Sequence, residues 1–126
     1  MAPILRPIDP MKKYQTIDAG TLRERLASNE RPVLVNALAR EAFEEERIPG
    51  SISIPVGDAL RIAPEILAAD QQVVVYCASR NCTASPTLAQ KLADLGFTEV
   101  ADFEGGIAEW EQAGHALERS RALATA

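Results

Sequence analysis

The 126-residue sequence has only two cysteines and one histidine, and this scarcity excludes several kinds of site. A structural zinc ion takes four ligands, so a carboxylate would have to complete the set, and the Cys-x4-Cys spacing of Cys77 and Cys82 is wider than usual. Triad hydrolases need a histidine, and His115 lies in a glycine-rich stretch near the C-terminus. The sequence also lacks a Walker loop and a G-x-G-x-x-G motif. We therefore expect neither a metal nor another cofactor.

Long apolar runs and an excess of positive charge are also missing. No stretch approaches the ~18 apolar residues of a membrane span. The N-terminal apolar run is short and is broken by Pro3, Pro7 and Pro10, unlike a signal peptide. The formal net charge of −5 argues against nucleic acid as a partner, because duplex binding needs clustered Lys and Arg. We expect a cytoplasmic protein whose cysteines serve chemistry rather than a disulfide framework.

The length corresponds to about one domain. Residues 1–12 are proline-rich and are predicted to form an N-terminal arm, residues 13–117 the domain, and residues 118–126 a frayed tail. Within the domain, short apolar strands alternate with helical segments. This order predicts an α/β fold with a parallel sheet and helices on both faces. In such sheets, sites form where the carboxyl ends of strands lead into loops.

Local signals place several element ends. Asp18 is the expected N-cap of the first helix. Residues 57–69 read as one or two short helices interrupted at Pro64. Gly96 is expected to end a helix in a Schellman motif, with the next residue packing back onto the helix. Trp110 lies on a short final helix and is expected to belong to the core rather than to a ligand site.

The loop after the β-branched run 73–76 is the leading candidate for chemistry. It begins with Cys77 and precedes a helix, so backbone N–H groups of residues 78–83 and the positive helix end are placed to favour a thiolate. Arg80 is the only cation in this loop. An inert, buried thiol is an equally good interpretation of the loop alone.

The start of the following helix is open. Thr83 as N-cap directs the helix at Cys77. Ser85 as N-cap with proline at the next position is the neater capping pattern, but it starts the helix two residues later and weakens the dipole argument.

Three ordered segments, at residues 33–55, 73–97 and 101–114, resemble the rhodanese (sulfurtransferase) family. The shared features are an apolar strand before an I-P-G turn, a V-x-Y-C strand and loop, an L-x-x-L-G-F helix end and a G-G-I-x-x-W-x-x-A-G segment. The resemblance extends over about residues 14–117. It implies a parallel five-stranded sheet flanked by helices. It also implies a catalytic cysteine that heads a six-residue loop, forms a persulfide and passes sulfur to an acceptor.

Carried over residue by residue, the resemblance makes Cys77 the catalytic residue. The active-site loop and substrate-binding residues are then Ala78, Ser79, Arg80, Asn81, Cys82 and Thr83. The implied partners are a small anionic sulfur donor such as thiosulfate, which Arg80 would attract, and a thiol, cyanide or protein acceptor.

The sequence departs from the family pattern in four places. Arg80 replaces the usual loop glycine and would be strained at positive φ. Cys82 replaces a frequent arginine. Residues 36–38 replace Asp-x-Arg, so a salt bridge is absent, and Arg47 replaces histidine, changes that we expect to concern packing. Phosphatases of the same fold need Cys-x5-Arg, and that arginine position is Thr83, so phosphatase activity is disfavoured.

Two alternatives to a sulfurtransferase are compatible with the sequence. One is a thiol redox switch or persulfide carrier that uses Cys77 and Cys82, although the favoured interpretation of Cys82 is a small apolar residue packed under the loop. The other is a non-catalytic interaction module that keeps only the fold.

Overall fold

The structure, a computed structural model, describes residues 13–119. The predicted arm at 1–12 and residues 120–126 of the predicted tail therefore lie outside the described residues. In chain order the elements are β1 (Gln15–Thr16), α1 (Ala19–Ala27), β2 (Val33–Asn36), α2 (Arg40–Glu45), β3 (Glu46–Arg47), β4 (Ile52–Ser53), a 3-10 turn (Val56–Asp58), α3 (Ala59–Ile66), β5 (Gln72–Tyr76), α4 (Ala84–Asp94), β6 (Glu99–Phe103), α5 (Gly106–Gln112) and β7 (Glu118–Arg119).

Five of these strands form one parallel sheet in the order β1-β6-β5-β2-β4. β5 lies at the centre, and its Val73–Tyr76 segment is buried because helices cover both faces. The predicted fold class, a five-stranded parallel sheet with helices on both faces, is thus confirmed.

Side chains of β5 alternate between two cores, as the two-residue period of a strand requires. Val73 and Val75 pack into the core beneath α3 and α4. Val74 and Tyr76 pack into the core beneath α1 and α5. Trp110 is buried in the second core, and its indole N–H donates to the Ala116 carbonyl at 3.1 Å. The core role predicted for this tryptophan is confirmed.

The helix ends follow their capping signals. The Asp18 carboxylate accepts the Thr21 N–H at 2.8 Å and caps α1. Gly96 has φ +103°, and the Phe97 N–H donates to the Leu92 carbonyl at 3.1 Å. The Gly96 N–H also donates to the Ala93 carbonyl, which completes the predicted Schellman ending of α4.

Two expectations about elements were wrong. Pro64 does not interrupt the helical segment: it lies inside α3. Proline lacks the N–H that would bond the carbonyl four residues earlier, which belongs to Leu60, and Leu60 lies at the exposed surface of α3. The predicted frayed tail also begins in regular structure, because Glu118–Arg119 form β7 antiparallel to β3, and Arg119 pairs with Glu46.

The helices within residues 13–119 are short, and none of them is both long and apolar enough to cross a membrane.

Candidate functional site

The candidate loop lies at the carboxyl end of the central strand, where β5 ends at Tyr76 and Cys77 follows at once. The end of β5 is fixed by the Tyr76 hydroxyl, which accepts the Ile48 N–H at 3.0 Å and pairs with Ser51 Oγ at 2.8 Å. Burial raises the pKa of Tyr76, so this phenol stays neutral and acts as a structural hydrogen-bonding group.

The start of α4 decides between the two capping patterns. Thr83 is the N-cap and the helix begins at Ala84, although the Thr83 side chain makes no capping hydrogen bond. Ser85 is therefore the second helical residue rather than the cap. Its side chain is buried, and its hydroxyl lies 3.3 Å from Cys77 Sγ. Sequence reasoning considered Ser85 only as a cap and missed this role.

Two backbone hydrogen bonds clamp the beginning of the loop to the start of α5. The Ile107 N–H donates to the Cys77 carbonyl at 3.0 Å, and the Ala108 N–H donates to the Ala78 carbonyl at 2.9 Å. Gly106 makes this approach possible. It has φ +58°, and a Cβ at this position would collide with the Cys77 carbonyl oxygen. Of the adjacent glycines Gly105 and Gly106, only Gly106 has positive φ.

The Cys77 sulfur is completely buried. Besides Ser85 Oγ, it approaches the carbonyl oxygens of Cys82 at 3.7 Å and Ser79 at 4.0 Å, both of which accept from a thiol and not from a thiolate. Burial and the hydrogen bond to Cys82 raise the pKa of Cys77, against the lowering effect of the Ser85 hydroxyl and N–H. The net shift in the pKa of Cys77 is thus opposite to the one expected from the loop N–H groups, although the Ser85 N–H acts in the expected direction.

Cys82 has the opposite character. It is partly exposed. Burial acts to raise the pKa of Cys82, but the hydrogen bond from Cys77 and the N–H groups of Ala84, Ala78 and Ser85 outweigh it and lower the pKa. The pKa values of the two thiols are therefore shifted in opposite directions, upward for Cys77 and downward for Cys82. This difference favours a chemical role for Cys82 over that of a small apolar residue packed under the loop.

Arg80 lies on the exposed side of the loop but is not free. Its guanidinium bonds Glu104 Oε1 at 2.6 Å and Glu109 Oε1 at 2.9 Å. One cation between two carboxylates leaves a net charge of −1 at this rim, which opposes the expected attraction of an anionic donor. The strain expected at Arg80 is absent as well, since within residues 13–119 only glycines have positive φ.

The other predicted loop residues form the mouth of the site. Ala78, Asn81 and Thr83 are exposed, and Ser79 is half-buried. Ser79 closes the loop through its backbone, because its carbonyl accepts the Cys82 N–H at 3.0 Å.

Glu104 and Glu109 were not singled out from the sequence, although both flank the glycine pair. Their place after β6, the strand beside β5, was the available signal. Glu109 also contacts a second element, because its Oε2 accepts the Ala19 N–H at 2.7 Å, at the start of α1.

Two departures from the family pattern, at residues 36–38 and at Arg47, were expected to concern packing, and both make local hydrogen bonds. Asn36 Oδ1 accepts the Leu38 N–H at 2.8 Å, in place of a salt bridge. The Arg47 guanidinium donates to the carbonyls of Phe43 and Glu44, at the end of α2, and lies 5.2 Å from the Phe43 ring.

The model of the rhodanese-like domain family matches residues 18–113. The chain belongs to this family. A protein of Allochromatium vinosum named sulfurtransferase is 30% identical over 98 residues, which cover 78% of this chain and 89% of that protein. An HTH-type transcriptional regulator of Mycobacterium tuberculosis is 34% identical over 97 residues, 76% of this chain.

The crystal structure of a thiosulfate sulfurtransferase from Pseudomonas aeruginosa superposes with a TM-score of 0.70 at 27% identity, and the match covers 86% of this chain. This rhodanese-like chain spans only 41% of the mycobacterial regulator and 21% of the Pseudomonas chain.

We expect Gly106→Ala to destabilise the protein more than Gly114→Ala. Both glycines have positive φ, which costs another residue about 1 to 2 kcal/mol, but Gly114 has open space around it. Only Gly106→Ala also pushes a methyl group against the Cys77 carbonyl. Urea unfolding of the two variants measures the difference. Equal losses of free energy of unfolding would show that the close approach of residue 106 to the Cys77 carbonyl does not contribute to stability.

We expect iodoacetamide near neutral pH to alkylate Cys82 several-fold faster than Cys77, because the thiolate is the reacting form. The rate at Cys82 should fall as the pH is lowered through its depressed pKa, where the thiolate is protonated. Trypsin cuts after Arg80 and places Cys77 on peptide 62–80 and Cys82 on peptide 81–91, so mass spectrometry follows each rate separately. Faster modification of Cys77 would contradict a lower pKa for Cys82 than for Cys77. Slow modification of both cysteines would favour a non-catalytic module.

Proposed function

We propose that the protein is a sulfurtransferase that moves sulfane sulfur from a donor such as thiosulfate to a thiophilic acceptor through a persulfide on Cys77. The observation that carries the proposal is the position of Cys77. It heads a six-residue loop at the carboxyl end of the central strand, held by α5, in a rhodanese-like domain with relatives named sulfurtransferases.

The cysteine pair supplies the nucleophile without a histidine. Cys77 must first lose its proton, and the Cys82 thiolate, which the lowered pKa of Cys82 favours, is the acceptor of that proton. Cys77 Sγ then attacks the sulfane sulfur of thiosulfate, the S–S bond of thiosulfate breaks and sulfite leaves. The acceptor, cyanide or a thiolate, attacks the outer sulfur of the resulting persulfide and regenerates Cys77.

The loop also argues against phosphoryl chemistry. A phosphatase loop of this fold needs an arginine at the position of Thr83, to bind phosphate through two hydrogen bonds. The one loop arginine, Arg80, is engaged with two carboxylates.

Treatment of the purified protein with thiosulfate should add one sulfur atom to the intact mass, and cyanide should remove it as thiocyanate. Cys77→Ser should gain no sulfur, because a serine hydroxyl forms no persulfide. Circular dichroism provides the control that the variant is folded. Sulfur uptake by a folded Cys77→Ser variant would refute the assignment of Cys77.

The acidic rim should reduce the use of thiosulfate, which carries two negative charges. We expect Glu104→Gln to raise kcat/KM for thiosulfate about two- to fivefold at low salt, since exposed charge pairs contribute about 0.2 to 1 kcal/mol. The gain should shrink as ionic strength rises. Glu99→Gln is the matched control, because Glu99 is exposed at the amino end of β6, away from the loop. An equal gain in both variants would show that net charge alone, rather than the rim, controls the rate.

A further inference from the structure

We propose that Cys82 is a second sulfur carrier, which takes the sulfane sulfur from the Cys77 persulfide and delivers it to thiol acceptors. The inference rests on the proposed function, because it requires a persulfide on Cys77. It assigns a catalytic role to a residue at a position where the family often has arginine.

The first ground is access. Cys77 is completely buried, whereas Cys82 is partly exposed at the mouth of the same loop. A donor such as thiosulfate presents its terminal sulfur as a single protruding atom. A thiol acceptor on a larger molecule must bring its own sulfur, and the carbon chain behind it, to the sulfur that it attacks. Cys82 is the sulfur of the pair that such an acceptor meets.

The second ground is the contact between the two residues. Cys77 Sγ lies 3.7 Å from the Cys82 carbonyl oxygen, so the buried sulfur directly contacts the residue that carries the second sulfur. A persulfide adds a sulfur at about 2.05 Å from Cys77 Sγ, within the loop that Cys82 closes. The transfer therefore needs no movement of one element past another.

The third ground is stabilisation of the product. The N–H groups of Ala78, Ala84 and Ser85 are directed at the Cys82 side chain. Backbone donors of this kind stabilise an anion without a cationic side chain. A persulfide anion on Cys82 would remain beside these donors, and the raised pKa of Cys77 favours the return of the proton to that sulfur.

The step balances without an external oxidant or reductant. Cys82 first returns the proton that it accepted from Cys77 to the persulfide, which leaves Cys82 as a thiolate. This thiolate attacks the outer sulfur of the Cys77 persulfide, the S–S bond on Cys77 breaks and a new S–S bond forms on Cys82. Cys77 leaves as a thiolate and takes up the proton that the persulfide carried. The products are a Cys77 thiol and a Cys82 persulfide anion, so one sulfane sulfur has moved and no electrons have been gained or lost.

The test compares wild type, Cys82→Ser and Cys77→Ser after loading with thiosulfate. Excess iodoacetamide caps each persulfide, and trypsin separates peptides 62–80 and 81–91 because Arg80 lies between the cysteines. In wild type, sulfur should appear on both peptides. In Cys82→Ser, sulfur should remain on peptide 62–80.

Acceptor kinetics provide the second readout. In Cys82→Ser, transfer to reduced glutathione should slow by about tenfold or more, whereas transfer to cyanide, which is small enough to reach the Cys77 persulfide, should change by less than about threefold. The cyanide rate is the internal control, because a merely misfolded or collapsed loop would lower both rates.

The outcomes separate this inference from the proposed function. Cys82 is not a carrier if Cys82→Ser transfers sulfur to glutathione as fast as wild type does, or if a disulfide without added sulfur joins the two peptides. In the first case Cys77 remains the sulfur-transferring residue. The disulfide would instead favour a redox switch. If neither peptide gains sulfur, the proposed function fails and the carrier role fails with it.

Discussion

The arrangement of the loop depends on the contact between Gly106 and the Cys77 carbonyl. Because residue 106 has no Cβ, the start of α5 can approach closely enough for two N–H groups to bind the carbonyls of residues 77 and 78. With these carbonyls turned toward α5, the first turn of the loop is fixed, and nearby N–H groups remain directed at the two sulfurs. The glycine thus acts on the site through the backbone.

The electrostatic properties of Cys77, Cys82 and Arg80 differ from those expected for this loop. The pKa of the buried Cys77 is raised and that of the partly exposed Cys82 is lowered, while the only loop cation is bound by two carboxylates. Backbone N–H groups therefore provide most of the anion stabilisation near the sulfurs. A site of this kind depends on loop geometry more than on the net charge of the protein.

Sequence patterns identified the features that arise from local physics. The β-branched run of β5, the capping aspartate of α1 and the glycine ending of α4 each depend on residues within a few positions, and each was predicted. The position of Cys77 at the head of the loop followed from the same local order. Pro64 was expected to interrupt the helix because proline lacks a backbone N–H, yet α3 continues through it on a surface where Leu60 is exposed, and this exposure is not visible in the local sequence.

Features that join distant segments could not be predicted. Arg80 meets carboxylates 24 and 29 residues away, and this pairing requires the neighbouring ends of β5 and β6. Ser85 reaches Cys77 only because the helix starts at Ala84 and not two residues later. The opposite pKa shifts of the two cysteines likewise depend on burial and on the N–H groups near each sulfur, which are properties of the three-dimensional structure.

Glu109 also connects the candidate site to the start of α1. One carboxylate oxygen holds Arg80 and the other holds the backbone at the start of α1. A ligand that draws Arg80 away therefore leaves Glu109 anchored in place, so the acidic charge cannot swing aside to make room. A substitution of Glu109 would therefore remove a partner of Arg80 and a hydrogen bond at the start of α1 at the same time.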